Sequence, residues 1–309
     1  MIVQIADCIR NHSRFEIITH EGPDADAVGS SRALAFALTS LGKSVKLVYP
    51  TPIPNALLFT PVPDNQKKIT PEISIILDVS DMGMLGGIRP IGEIIVIDHH
   101  KTNNGFGTTS WVDSEKSSTA EMVYDLLTEM GIEITPPIAT NLYMGIFGDT
   151  GGFIHANTTP RVFKIVYNLT SAGADPHLIA YKLNKARSMN YFNILCLAME
   201  RMVVKGNVYG SYIGLKDMKK MRARTEDVSG IVEEISSLAG ADLVVFLREL
   251  NPDTVHCSIR SKNNTSALQT AQAFGGGGHS MAAGFTTKGR AKDLLDDVIE
   301  EGSRWLSKA

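Results

Sequence analysis

Ile94-Ile95-Val96-Ile97-Asp98-His99-His100 is a run of buried-strand character that ends in an acid and two imidazoles. A short β-branched apolar run without alternation reads as a strand covered on both faces, as in a parallel sheet. The carboxyl end of such a strand is where an open α/β sheet places its ligands. If the pleat continues through them, His99 and His100 point to opposite faces and reach two different targets. Taken alone, the tripeptide reads better as a capping acid beside two half-solvated imidazoles. Its weight rests on what other strand ends deliver to the same place.

Working outward, the same pattern recurs. Ile73-Ser74-Ile75-Ile76-Leu77-Asp78 is again an apolar strand closed by an acid, and the glycine-rich Met82 to Gly92 joins it to the opening stretch. Towards the N-terminus, residues 1 to 14 suit a short amphipathic helix and Phe15 to His20 a strand. Ala27 to Leu41 is a helix closed by Gly42, and Val45 to Tyr49 a further strand. Pro50 to Pro71 carries six prolines and reads as an irregular surface excursion.

Beyond the histidines, Ser117-Ser118-Thr119-Ala120-Glu121 opens a helix to about Met130, with a hydroxyl cap and an acid in the first turn. Pro137 to Phe147 makes another, broken by Gly148-Asp149-Thr150-Gly151-Gly152. Helices follow over 159–172 and 176–203, with a bend or break near 187. Short strands at 208–215, 242–249 and 254–260 then surround a helix at 228–239, and a last helix covers 290–307. The expected fold is α/β. A mainly parallel-sheet N-terminal domain (1–187) is joined by a helical linker (188–204) to a smaller α/β C-terminal domain (205–309).

Composition bounds the function. The 309 residues suffice for two domains with separate cores, and 43% hydrophobic with 20% charged residues is globular usage. A formal charge of -3 without a long Lys/Arg block argues against a grip on long nucleic acid, though not against a small anionic substrate in a local pocket. Cys8, Cys196 and Cys257 lie far apart, which argues against a disulfide framework or a thiolate metal site. No signal-like segment or membrane-length apolar run is present, so a soluble cytoplasmic protein without a membrane partner is expected.

The ends of the apolar segments of the first domain carry His20, Asp24, Asp26, Asp78, Asp98, His99, His100 and Asp149. Singly, each has an ordinary reading: Asp24 or Asp26 as a helix-entry acid, Asp78 as a cap, Asp149 as a turn acid, His20 as a satisfied histidine. Together, a parallel sheet brings them to one edge. Four of these carboxylates, Asp24, Asp26, Asp78 and Asp149, gathered at ~5 Å would repel by on the order of 3 kcal/mol per pair at an effective dielectric of about 20. Two divalent cations offset that charge, and a bridging acid between flanking ligands is the arrangement such a pair needs. Mixed oxygen and imidazole donors without thiolate point to Mn2+ first, with Mg2+, Co2+ or Zn2+ as replacements.

His20-x-x-x-Asp24-x-Asp26, then Asp78, Asp98-His99-His100 and Asp149 resemble, in order and spacing, the motifs of the DHH phosphoesterase superfamily. The resemblance covers nearly the whole chain. It implies that His20 and Asp24 bind one metal, that Asp26, His99 and Asp149 bind the other, and that Asp78 bridges them. By the same analogy His100 faces the substrate phosphate as a catalytic group, and Asp98 orients a neighbouring histidine.

A second stretch, Phe274-Gly275-Gly276-Gly277-Gly278-His279, lets backbone N–H groups approach an anion, with His279 as an added donor. Strand alternation puts Ser258 and Arg260 on one face, where the guanidinium suits a phosphate; its ordinary reading is an exposed arginine in a surface ion pair. Ser258-x-Arg260-Ser261 with Gly276, Gly277, Gly278 and His279 resembles the DHH-associated C-terminal domain, which in that family holds the nucleotide across the cleft from the metals. Family II pyrophosphatases differ in this domain, and RecJ-type exonucleases are usually longer.

The resemblance therefore implies hydrolysis of very short RNA or of linear dinucleotides such as pApA, a product of c-di-AMP degradation, to nucleoside 5'-monophosphates. In the expected chemistry a hydroxide shared by the two ions attacks phosphorus in line. The alternatives are a phosphatase for 3',5'-bisphosphorylated adenosine, a RecJ-like single-strand exonuclease, and a catalytically silent nucleotide sensor. A homodimer is the oligomeric state that the family implies.

Overall fold

The computed structural model describes residues 1–64, 69–262, 266–278 and 280–307. The described residues fall into two compact units, Met1–Ala186 and Arg187–Ala309.

The first unit is a five-stranded, wholly parallel sheet. In chain order it contains α1 (Ile2–Asn11), β1 (Arg14–Ile18), α2 (Ala25–Ser40), β2 (Ser44–Val48), β3 (Ile73–Leu77), β4 (Glu93–Asp98) and β5 (Thr109–Val112). The helices α3 (Thr119–Glu129), α4 (Pro136–Asp149), α5 (Pro160–Ser171) and α6 (Pro176–Ala180) follow, with a π-helical turn over Tyr181–Lys185. Strand order β2-β1-β3-β4-β5 centres β3, whose five residues are all buried. The reading of Ile73 to Leu77 as a strand covered on both faces thus follows from its position. Phe15, Ile17, Ile75, Ile95 and Ile97 pack in one core with α2, α3 and α4, while Ile18, Ile76 and Val96 pack on the other face with Val79 and Leu85.

Two details of this unit differ from expectation. Thr109–Val112, a short edge strand with one buried residue, lacks the apolar run that marks the others. The helix expected to stop at Phe147 continues through Gly148 to Asp149. Gly148 does not break it, because a Cβ there would meet the Ala25 Cβ at 2.6 Å, so the glycine serves close approach of α4 to α2. Gly29 repeats this device: its absent Cβ would stand 2.4 Å from the Asn141 carbonyl oxygen.

The second unit has α7 (Met189–Glu200), β6 (Val203–Lys205), β7 (Val208–Ile213), α8 (Leu215–Met221), α9 (Ile231–Ser236), β8 (Leu243–Asn251), β9 (Thr254–Ser261), α10 (Ser266–Ala273), β10 (Gly277–Gly278), β11 (Ala282–Lys288) and α11 (Ala291–Leu306). Its six strands run in the order β10-β11-β9-β8-β7-β6, parallel only between β7 and β8. Alternation along β9 buries Val255, Cys257 and Ile259 against α10 and α11, and leaves His256, Ser258 and Arg260 on the opposite face. No helix among the described residues is long and apolar enough to cross a membrane.

Candidate metal centre

The carboxyl ends of β1, β3 and β4, the entry of α2 and the last residue of α4 converge on Asp78, and the first reason is local. Asp78 follows β3 with φ +61, a left-handed conformation that Asp tolerates better than most residues, and its side chain is 2% exposed. Three imidazoles surround it at one distance: His20 Nε2 is 3.6 Å from Oδ2, while His99 Nε2 and His100 Nδ1 are each 3.6 Å from Oδ1. These separations are longer than hydrogen bonds. For His20 and His99 they are close to the roughly 3 to 3.5 Å expected between two ligand atoms that would share a cation about 2.1 Å from each.

Around this acid the ligand atoms form overlapping groups, each within 4.8 Å: His20 with Asp24 and Asp78, Asp26 with His99 and Asp149, and Asp78 with both His99 and His100. His99 Nε2 stands 3.0 Å from Asp149 Oδ2, and His20 Nε2 stands 3.9 Å from Asp24 Oδ1. Asp24 caps α2 through Oδ1, which accepts the Asp26 and Ala27 amides at 3.0 Å, and its side chain remains 57% exposed. His20 Nδ1 lies 2.8 Å from the Glu21 carbonyl oxygen, so Nδ1 carries the proton and Nε2 is the nitrogen offered to the acids.

His99 and His100 do not diverge. Strand β4 ends at Asp98, so the pleat does not continue through them, and both rings turn to Asp78 with centroids 4.6 Å apart. The histidine that Asp98 holds is His100, whose Nδ1 is 2.6 Å from Asp98 Oδ1; Asn103 Nδ2 donates to the other oxygen at 2.7 Å and to the Val79 carbonyl at 2.9 Å.

The protonation pattern shows how unbalanced the charges are. Burial would lower the pKa of His20, but the Asp78 carboxylate and then the charge of Asp24 outweigh it and raise it to about 9. His99 is raised to about 10 against its burial, chiefly by Asp149 and then by Asp78 and Asp26. Burial pushes the Asp26 carboxyl well up, helped by Asp78 and Asp149. Despite its own burial, Asp78 is held at about 2 by His20, His99 and His100. Bound cations would supply the positive charge that these shifts reflect, at the expense of the protons.

Several supports carry no signal in the sequence. The Thr119 and Ala120 amides, at the start of α3, donate to the two Asp26 oxygens at 2.6 and 2.8 Å, and Thr119 Oγ1 donates to Asp78 Oδ1 at 3.1 Å. The Ser117-Ser118-Thr119 signal marks a helix start, but nothing in it reveals that this start faces two acids some 40 and 90 residues earlier. Asn157 Nδ2 donates to the Ser117 carbonyl at 2.9 Å and the Asp149 carbonyl at 3.2 Å. Both neighbours are acceptors, so the amide orientation is fixed. Asn157→Ala is expected to weaken metal binding about 10- to 100-fold, read by titration of the folded variant with Mn2+.

In the second unit, Arg260 and Ser258 join Arg248, His256, Gly230 and Glu233 around a cavity of about 180 Å³. Arg248 and His256, one register pair across β8 and β9, are, like Gly230 and Glu233, members that the sequence did not single out. Ser261 instead turns inward, its Oγ 2.8 Å from Ser266 Oγ. Gly277 and Gly278 pair with Gly284 and Ala283 of β11, and a Cβ on Gly276 would meet the Gly284 oxygen at 2.2 Å. The glycine run is thus built into the sheet edge and does not line that cavity. His279 lies outside the described residues.

Comparison with known proteins adds to this geometry. The DHH family N-terminal domain matches residues 14–146 and the DHHA1 domain residues 207–308. Over 298 residues the chain is 35% identical to the bifunctional oligoribonuclease and PAP phosphatase NrnA of Thermus thermophilus, covering 93% of this chain and 90% of that one. It is 28% identical over 295 residues to the protein of the same name from Bacillus subtilis, covering 90% and 91%. A crystal structure of an exopolyphosphatase-related protein from Bacteroides fragilis matches with a TM-score of 0.90 at 24% identity, over 99% of this chain and 95% of that one. At that identity the likeness is one of fold.

Proposed function

The chain belongs to the DHH family and carries a DHHA1 domain, and on that premise we propose that it is a two-metal phosphodiesterase that hydrolyses very short oligoribonucleotides or linear dinucleotides of the pApA type to nucleoside 5'-monophosphates. The observation that carries the reading is the placement of one buried carboxylate, Asp78, between two ligand groups. His20 and Asp24 would hold one ion, Asp26, His99 and Asp149 the other, and Asp78 would serve both. Mn2+ suits this mixture of oxygen and imidazole donors best, with Mg2+, Co2+ or Zn2+ as substitutes.

When bound, two such ions neutralise charge developing on the phosphoryl oxygens and lower the pKa of the attacking water. The chain's own groups do the rest. Asp98, fixed by Asn103, holds Nδ1 of His100 and so directs its Nε2 towards the phosphate, where it stabilises a phosphoryl oxygen or protonates the leaving group. Thr119 and Ala120 fix the carboxylates of Asp78 and Asp26 before substrate arrives. In the second unit, Arg260, Arg248, His256 and Ser258 hold another phosphate of the substrate. Gly276, Gly277 and Gly278 stay in this reading as backbone contacts of the bound nucleotide outside that cavity, whereas Ser261, turned inward to Ser266, supports β9 from within.

The names of the Thermus and Bacillus relatives join two activities, which favours a second use of the same centre: dephosphorylation of 3',5'-bisphosphorylated adenosine. We place the enzyme in the cytoplasm, as a homodimer, with a role in c-di-AMP degradation through pApA. One assay decides among the catalytic readings. Purified protein with Mn2+ is given pApA, its cyclic precursor, short and longer RNA, and the bisphosphate. Release of AMP from pApA, abolished by chelation, is the expected result. Tight binding without cleavage of any substrate would turn the reading to a nucleotide sensor. Arg260→Ala is expected to raise KM for pApA about 10- to 100-fold, the weight of a lost charge-assisted pair, with metal content unchanged.

A further inference from the structure

The charges that line the cavity of the second unit fall short of the phosphate assigned to it. Its charged side chains are Arg248 of β8, Arg260 of β9 and Glu233 of α9, two guanidiniums against one carboxylate, so the lining carries a single positive charge in excess. Glu233 is held within the cluster, because Arg260 Nε and Nη2 both donate to its Oε1, at 3.1 and 2.6 Å. In pApA, and equally in the bisphosphate, the phosphate left unreacted is a terminal one, a dianion above about pH 6. One positive charge is therefore missing. Phe246, Val228 and Val232 make the remaining wall apolar, which strengthens the imbalance.

A proton on His256 supplies that charge. His256 stands opposite Arg248 in the β8–β9 register and shares its face of β9 with Ser258 and Arg260. Its register partner on β11 is the uncharged Thr286, and α9 contributes Glu233 to the lining. Burial, then the guanidiniums of Arg248 and Arg260, hold the imidazole pKa below its usual value, so the ring is neutral at pH 7 in the free protein. His256 Nδ1 lies 3.1 Å from Thr286 Oγ1, a hydroxyl that can donate to a neutral ring or accept from a charged one. Both protonation states are thus accommodated without moving the ring. With Nδ1 so engaged, Nε2 is the nitrogen left for a phosphate oxygen.

We propose that phosphate binding in this pocket is linked to protonation of His256: the imidazole takes up one proton from solvent as a terminal phosphate enters, donates from Nε2 to it, and returns the proton when the product leaves. A dianion between Arg248 and Arg260 cancels the field that disfavours the imidazolium, and the new bond is charge-assisted. The preference for a substrate with a free terminal phosphate therefore grows as pH falls through the neutral range. The inference rests on the reading of this pocket as a phosphate site.

The experiment measures the ratio of KM for pApA to KM for ApA, which lacks the terminal phosphate, from about pH 6.5 to about pH 8.5 under Mn2+. ApA reports the pH dependence of the metal centre, so the ratio isolates the pocket. In the wild-type enzyme the ratio is expected to rise roughly 10-fold with pH across that range, the consequence of a pKa raised by about two on binding. His256→Gln is expected to hold the ratio near the wild-type high-pH value throughout. His256→Lys, which stays charged, is expected to hold it near the low-pH value. A purely structural histidine would instead lose affinity by one factor at every pH in both variants. Melting curves verify that each variant is folded. A flat wild-type ratio, or a slope that survives in His256→Gln, overturns the proposal, and if Arg260→Ala still raises KM for pApA the pocket reading stands without it. If Arg260→Ala leaves KM for pApA at the wild-type value, the pocket reading itself falls, and the role of His256 with it.

Discussion

Asp78→Asn is expected to lower kcat/KM on pApA by at least about 10³-fold, since a group that serves both ions underlies several kcal/mol of transition-state stabilisation. Asn is chosen because the position has φ +61. Asn tolerates that conformation and keeps an oxygen for the Thr119 hydroxyl, so the loss isolates the charge. Asp78→Ala should lose as much activity and in addition about 1 kcal/mol of stability, from a Cβ forced into the left-handed region without a compensating side-chain bond. From the sequence alone that substitution looks neutral for the fold. Kinetics with a melting curve for both variants check this, and an Asn variant with wild-type turnover would sink the two-metal assignment.

Asp26→Ala is expected to cost both stability and activity. The carboxylate is fully buried, and each oxygen accepts one amide from the first turn of α3. A carboxylate has lone pairs enough to accept both amides and still face an ion. Removing it leaves two buried N–H groups without acceptors, at about 1 to 3 kcal/mol each, or roughly 5 to 15 °C in the melting of a unit of this size. Calorimetry that resolves the first unit's transition reads this. Asp26→Asn should recover only part of it, since one end of the amide meets an N–H with an N–H. A wild-type transition in Asp26→Ala would mean that water or a shifted backbone satisfies α3.

The contrast between these two acids shows what was legible in the sequence. Ile73 to Leu77 and Ile94 to Ile97 announce central strands because burial on both faces demands continuous apolar runs, and the acids that close them sit where the strands end. By that logic His20, Asp24, Asp26, Asp78 and His99 are legible in the sequence as one group. Asp149 belongs to the same group, but the sequence places it in a turn whereas it closes a helix, because Gly148 reads as a breaker and in fact packs against Ala25. Thr109 to Val112 was missed because an edge strand needs no apolar run.

The partners of the acids are another matter. Thr119, Asn103, Asn157, Arg248 and His256 are ordinary polar residues in ordinary local contexts, and each acquires its role from a contact the local pattern does not encode. Arg260 illustrates the limit from the other side, since both of its readings were open in the sequence and the structure finds it paired with Glu233 from another element. Periodicity is a local property, so the sequence alone determined the parallel sheet, the edge that carries the chemistry and the residue types gathered there. Which oxygen faces which nitrogen depends on long-range packing, and only the tertiary structure decided that Asp78 stands among three imidazoles and that His100, rather than His99, is the one Asp98 holds.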